Sequence, residues 1–67
     1  MSRLSFIGFC VEAYADAVKR PGNEIYKLFK QEGLLDLLRS DYDDLHGMGT
    51  EYMVQFCGDY LKGARNA

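Results

Sequence analysis

The apolar positions near the start of the chain recur at helical spacing and predict one unusually apolar helix. One set of apolar residues follows steps of three and four, namely Leu4, Ile7, Val11, Tyr14 and Val18. A second set forms a stripe beside the first, namely Phe6, Phe9, Cys10, Ala13 and Ala17. Two adjacent stripes give an apolar arc wider than the face of an ordinary surface helix. We therefore expect the rest of the chain to cover this helix on several sides, with Phe9 and Val11 both buried.

The ends of this first helix carry ordinary boundary signals. Ser2 can cap the first free amides, and Lys19 and Arg20 stand at the negative end of the helix dipole. Pro21 cannot continue the helix and disfavours helical geometry at the residue before it. The helix is therefore predicted over residues 2–19.

Two shorter helices are predicted after the proline. Asn23 is a suitable N-cap for a helix over roughly residues 24–32, with Ile25 and its apolar neighbours facing the core. Gly33 fits the left-handed residue that closes a helix. A run of leucines then restarts the helical pattern over residues 34–39, immediately after this glycine.

The segment after residue 39 has two interpretations. Ser40 and Asp43 have the spacing of a capping box, which predicts one more helical turn over residues 41–46 with Tyr42 and Leu45 on the core side. The same apolar positions also fit an uninterrupted third helix. We favour the break, because the polar cluster at residues 40–44 has the composition of a helix start.

A last amphipathic helix completes the predicted fold. It should start at Gly49 or Thr50 and run to about residue 62, with Gly63 ending it and residues 64–67 fraying. Its apolar stripe contains Met53, Phe56, Cys57, Tyr60 and Leu61. The prediction is an all-α fold, a small bundle of four to five short helices around a central N-terminal helix. We expect a single domain over residues 1–67, with an ordered core over about 3–62.

Size and cysteine content limit what this domain can be. A chain of 67 residues buries only about 60% of its unfolded surface, so it often depends on a partner or on a second copy for stability. Cys10 and Cys57 are too few for a disulfide scaffold, and we expect two buried free thiols, with a disulfide between the first and last helices as the alternative. The N-terminus imitates a signal peptide, but Glu12 precedes the apparent cleavage site. We expect a cytoplasmic protein that does not enter a membrane.

Acidic residues gather in the second half of the chain. Residues 1–35 carry five basic and four acidic side chains, whereas residues 36–67 carry three basic and six acidic ones. The candidate partner-binding residues are these acids and the histidine among them, namely Asp36, Asp41, Asp43, Asp44, His46 and Glu51. A basic partner surface would be attracted to such a cluster.

Three segments of the chain resemble a family of very short bacterial helical domains of unknown function. They are Phe9-Cys10-Val11-Glu12-x-Tyr14, Glu24-Ile25-Tyr26-x-Leu28-Phe29, and Tyr42-Asp43-x-Leu45-His46-x-x-Gly49 followed by Glu51-Tyr52. The resemblance covers about residues 5–62 and implies a small cytoplasmic protein of a bacterium or its mobile elements. It also implies genes beside toxin-like proteins, including ADP-ribosyltransferase-like ones, and hence an accessory or antitoxin-like role. The family has no established catalytic or binding residues to carry over, and Cys57-Gly58 is atypical of it.

Catalytic and metal-binding interpretations find little support in the sequence. His46 lacks a second histidine for a metal site, and the segment from Asp41 does not match a calcium loop. We expect a structural hydrogen bond from His46 to a nearby backbone or carboxylate group. Cys10 and Cys57 lie on apolar stripes, where burial raises a thiol pKa. We therefore expect no enzyme activity, no metal and no cofactor.

The sequence favours a protein–protein interaction module that docks on a larger protein or on a copy of itself. The alternative is a DNA-associated regulator that uses residues 24–39 as a helix-turn-helix-like pair. Nucleic acid is the less favoured partner, because the third helix and the following turn carry four acids against Arg39 alone.

Overall fold

A computed structural model describes residues 2–66, with side chains through residue 63, and this part of the chain contains five helices and no strand. The helices are α1 (Arg3–Val18), α2 (Gly22–Gln31), α3 (Leu34–Ser40), α4 (Tyr42–Leu45) and α5 (Thr50–Asn66). The predicted all-α fold is confirmed. None of these helices is both long and apolar enough to cross a membrane.

Helix α1 packs against α2, α3 and α5, as its two apolar stripes predict. Its buried residues follow the seam between those stripes, namely Phe6, Ile7, Cys10, Val11 and Ala15. The predicted burial of Val11 is confirmed, but Phe9 is only partly buried. Leu4 and Val18 were also placed on the core stripe, yet they are 78% and 39% exposed. Leu4 and Val18 lie in the first and last turns of α1, so the covering helices bury the middle of the apolar arc and leave its two ends in contact with water.

The N-terminal boundary of α1 agrees with its capping signal, whereas that of α2 does not. The Ser5 amide donates to the Ser2 hydroxyl over 3.0 Å, so Ser2 is the N-cap. Helix α2 starts at Gly22, and its N-cap is Pro21 instead of the predicted Asn23. The backbone explains the difference, because the Pro21 carbonyl already accepts hydrogen bonds from residues 24 and 25.

The turn between α2 and α3 is built around Gly33, which adopts the predicted left-handed conformation with φ 79°. The Tyr60 hydroxyl donates to the Glu32 carbonyl over 2.8 Å and thereby ties this turn to α5. A Cβ atom on Gly33 would lie 3.3 Å from the same hydroxyl. Conformation and space therefore both favour glycine at this position.

The chain does break after α3, which confirms the favoured interpretation of the segment after residue 39. The predicted capping box is wrong, because Asp41 is the N-cap of α4 and the Ser40 hydroxyl donates to the Asp41 carboxylate over 3.2 Å. Leu45 is buried and Tyr42 is partly buried against the core, as predicted.

Helix α5 does not end at Gly63 as predicted, since its backbone continues to Asn66. A glycine inside a helix costs only about 1 kcal/mol relative to alanine, so it does not by itself end one. The predicted fraying of residues 64–67 stays a prediction, because Ala67 and the side chains of residues 64–66 lie outside the described part of the structure.

The helices meet in one apolar core. Seven of the described side chains are less than 2% exposed, namely Phe6, Cys10, Phe29, Leu34, Leu38, Met53 and Cys57. No polar or charged residue is buried in the described part of the chain. Any polar group that takes part in function must therefore be an exposed or half-buried one, within the described part of the chain.

Candidate functional site

The predicted partner-binding residues lie on the three consecutive helices α3, α4 and α5 and on the ends of α4. Asp41, Asp43, Asp44 and His46 lie on α4 and its two ends, while Asp36 lies on α3 and Glu51 in the first turn of α5. All six are exposed except Asp41, which is half-buried. We call these six residues the acidic surface.

Arg3, near the start of the sequence, forms an ion pair with one of these acids. Arg3 Nη2 lies 3.7 Å from Asp43 Oδ2, and both side chains are largely exposed. Such exposed ion pairs contribute little to stability. Arg39 is therefore not the only base near the acids, and Arg3 reduces the local charge at Asp43.

Tyr42 joins the acidic surface to the core. Its ring packs edge-on against Phe6, with 5.5 Å between centroids, and Arg3 Cζ lies 5.1 Å from its centroid. The His46 ring stacks on Tyr42 with a centroid distance of 4.5 Å and an interplanar angle of 16°. These distances lie within the usual ranges for aromatic and cation–π pairs. The cluster fixes the position of α4 relative to α1.

His46 has the structural role that the sequence suggests. Its Nδ1 atom lies 2.8 Å from the Tyr42 carbonyl oxygen. Because a carbonyl can only accept, Nδ1 carries the hydrogen in this contact. The predicted hydrogen bond to a nearby backbone group is confirmed, and it closes the C-terminal end of α4.

Cys10 and Cys57 are buried free thiols that contact each other between α1 and α5. The hydrogen bond that Cys57 donates to Cys10 raises the pKa of Cys57, and burial acts in the same direction. Accepting this bond lowers the pKa of Cys10, against the effect of burial. Burial alone predicted a raised pKa for both thiols, which is wrong for Cys10. Neither side chain is more than 1% exposed, so a solvent reagent cannot reach the sulfur atoms in the native fold.

A surface groove between α3 and α5 was not predicted. It encloses about 450 Å³ and is lined by Leu37, Tyr52, Gln55, Phe56, Asp59 and Tyr60. We call it the α3–α5 groove. The sequence does hold a signal for it, because Tyr52, Phe56 and Tyr60 recur every four residues on one helix. Phe56 and Tyr60 were assigned to the core-facing stripe of the last helix, but both are only partly buried, and Tyr52 beside them is 50% exposed.

A second groove, of about 500 Å³, lies between α1 and α2. Leu4, Gly8 and Tyr26 are exposed there, while Ile7 and Val11 form its floor. This α1–α2 groove corresponds to the part of the apolar arc that the other helices leave uncovered. The sequence indicated that this arc is unusually wide, but not which part of it stays uncovered.

The second helix of the helix-turn-helix-like pair, α3, exposes a single base. Helix α3 buries Leu34, Leu35 and Leu38. Its exposed residues are Asp36, Arg39 and Ser40. Contacts to phosphate groups require clustered lysine and arginine side chains.

Comparisons with known proteins place the chain in a family without assigning an activity. A family model described as a protein of unknown function matches residues 5–63. No curated protein and no solved structure matches the chain. Within the described residues, no group of three histidine, cysteine or acidic side chains is arranged to hold a metal ion.

Proposed function

Since this chain belongs to the DUF3791 family of proteins of unknown function, we propose a function from its surface: it is a non-enzymatic module that binds another protein or a second copy of itself. The observation that carries the proposal is the set of large apolar side chains left at the surface of so small a domain. They are Leu4, Val18, Tyr26, Met48 and Tyr52, each between 39% and 78% exposed. Apolar surface concentrated in grooves is typical of protein interaction sites.

The acidic surface supports a basic partner. Asp43 and Asp44 follow Asp41 within one short turn, where like charges repel. Acids at helix N-termini are stabilising without any partner, but one capping acid would suffice for that purpose. A basic surface would turn the repulsion into attraction and accelerate encounter.

The most concrete version is an accessory or antitoxin-like partner of a basic, toxin-like enzyme. The family resemblance supports this version, and so does the charge of the acidic surface. A bacterial source and a cytoplasmic location belong to the same proposal. Genes that encode a toxin-like protein beside genes of this family would support it further. The outer face of α3 favours a protein over a nucleic acid, because it presents Asp36 beside Arg39.

Charge reversal on the acidic surface should slow association with the partner. The partner would first be purified by affinity capture from cells of the source organism. We expect the double variant Asp36→Lys/Asp44→Lys to bind it about tenfold more slowly at low salt, with the difference shrinking at high salt. Both carboxylates are exposed, so the fold should survive. Asp36 is a better choice than Asp41, because Asp41 is half-buried and accepts a hydrogen bond from Ser40.

The matched control reverses two exposed acids on α1, Glu12 and Asp16. This variant changes the net charge by the same amount outside the acidic surface. Its association rate should stay closer to that of the wild type, because local charge guides the final approach. Equal slowing of both variants would attribute the effect to net charge alone. Wild-type rates in both would contradict a role for the acids.

A further inference from the structure

The α3–α5 groove is held in shape before any partner arrives. Tyr60 forms its end and is fixed by the hydrogen bond from its hydroxyl to the Glu32 carbonyl. Tyr52 and Phe56 lie nearly parallel, with an interplanar angle of 23° and 6.4 Å between ring centroids. Aromatic side chains with few rotatable bonds lose little entropy on binding. A preorganised groove of this kind converts more of its contact energy into affinity.

The shape of the groove matches a helix as its occupant. Tyr52, Phe56 and Tyr60 lie one helical turn apart along α5, and Leu37 of α3 forms the opposite wall. An amphipathic helix can lay its own row of apolar side chains between such walls, with anchors spaced at i, i+3 or i+4, and i+7. Tyrosines in such positions often supply much of the binding energy.

The charges around the groove favour basic side chains on the flanks of the bound helix. Asp59 is the charged residue in the lining, and Gln55 Nε2 donates to its carboxylate over 3.0 Å. Glu51 lies one turn before Gln55, so an acidic row follows the aromatic row along α5. Asp41 lies one turn beyond Leu37, at the C-terminal end of α3. Lys62, one turn beyond Asp59, is the base at the end of this row.

We propose that the α3–α5 groove binds an amphipathic helix of a partner protein, with its apolar side chains between Leu37 and the Tyr52–Phe56–Tyr60 row and its basic side chains toward Glu51 and Asp59. This inference rests on the proposed function and assigns its binding site. Asp41 and Glu51, two residues of the acidic surface, each lie one helical turn from a residue of the groove lining, Leu37 and Gln55 respectively. The acids therefore attract the partner, and the aromatic row holds it.

A titration with synthetic peptides tests the assignment. The probe is an amphipathic peptide about four turns long, with leucines at the anchor positions and lysines elsewhere. Its twin carries glutamate in place of every lysine. Amide chemical shifts of the labelled protein, recorded at physiological salt, report both the affinity and the location of binding. We expect the lysine peptide to shift residues around Leu37, Tyr52 and Phe56, and the glutamate twin to shift none of them.

Two tyrosines provide a matched pair of variants. Tyr52 in the groove and Tyr26 on α2 are 50% and 48% exposed, so truncating either should leave the fold intact. Tyr52→Ala should weaken peptide binding about tenfold or more, which corresponds to the loss of a typical binding hot spot. Tyr26→Ala should change it less than about twofold. Asp59→Lys should weaken binding of the lysine peptide and strengthen binding of its twin.

Several outcomes would overturn this assignment. Shifts centred on Leu4 and Tyr26 would place the peptide in the α1–α2 groove. Equal binding of the two peptides, or no shift at about millimolar peptide, would remove the basic amphipathic helix as the occupant. Groove shifts that depend on protein concentration alone would assign the groove to a second copy. If Tyr52→Ala leaves capture of the cellular partner unchanged, the groove assignment fails while the interaction function stands.

Discussion

Replacing Phe6 with alanine should lower the free energy of unfolding by about 3–5 kcal/mol, the usual range for truncating a large core aromatic residue. Phe6 is 1% exposed and lies on the buried seam of α1. Its ring also packs edge-on against Tyr42, so the substitution removes a contact that holds α4. A domain of this size has a total stability of similar magnitude. The variant should therefore be largely unfolded, as measured by circular dichroism with chemical denaturation.

Phe9→Ala is the matched control on the same helix. The two-stripe pattern placed Phe9 in the core and so predicted the full cost for its removal. Phe9 is only partly buried, so its truncation should cost clearly less than that of Phe6. A larger loss for Phe9 than for Phe6 would show that α1 presents its Phe9 face, and not its Phe6 face, to the core.

The second large effect is expected at Leu38. This residue is completely buried on α3, and Leu38→Ala should cost about 2–5 kcal/mol through lost contacts and the cavity left behind. Its neighbour Leu37 is half-buried and lines the α3–α5 groove. Leu37→Ala should keep most of the stability and weaken binding in the groove.

The same denaturation curves and the peptide titration together check this contrast. Leu38→Ala should lower the transition midpoint strongly, while Leu37→Ala should stay near the wild type and lose peptide affinity. A reversed order of the two midpoints would mean that α3 presents another face to the core. An unchanged peptide affinity for Leu37→Ala would remove α3 as a wall of the binding site.

The helix positions could be predicted from the sequence because the signals that begin and end a helix are local. The Ser2 cap, the left-handed Gly33 and the break before Tyr42 each depend on residues within one or two turns. The general identity of the core followed for the same reason, since apolar spacing determines which side of a helix is apolar. Such signals exist in the sequence before any long-range contact forms.

The exact buried face and the grooves could not be predicted, because they depend on how far the neighbouring helices reach. Leu4 and Phe9 fit the apolar pattern of α1 as well as Phe6 does, yet only Phe6 is fully covered. The contact between Tyr60 and Glu32 joins residues 28 positions apart, and no local pattern indicates it. The α3–α5 groove includes Tyr60 of this contact, together with the incompletely covered Tyr52 and Phe56.

The acidic surface was predicted only in part. Spacing along the sequence indicated a cluster of exposed acids and a structural His46, and the structure places both on α4 and its neighbours. Spacing could not show that Arg3 lies over Tyr42 and beside Asp43, because these residues are distant in sequence. The chain topology brings the start of α1 to α4.

The central claim is that this small domain works in contact with another protein chain. The most direct test is the native size of the tagged chain in extracts of its source cells, compared between wild type and Tyr52→Ala by size-exclusion chromatography with light scattering. We predict that the wild type elutes well above the mass of one chain and that Tyr52→Ala shifts toward the single-chain mass. A wild type that elutes as one chain in the extract, and stays monomeric when purified and concentrated, would contradict the claim.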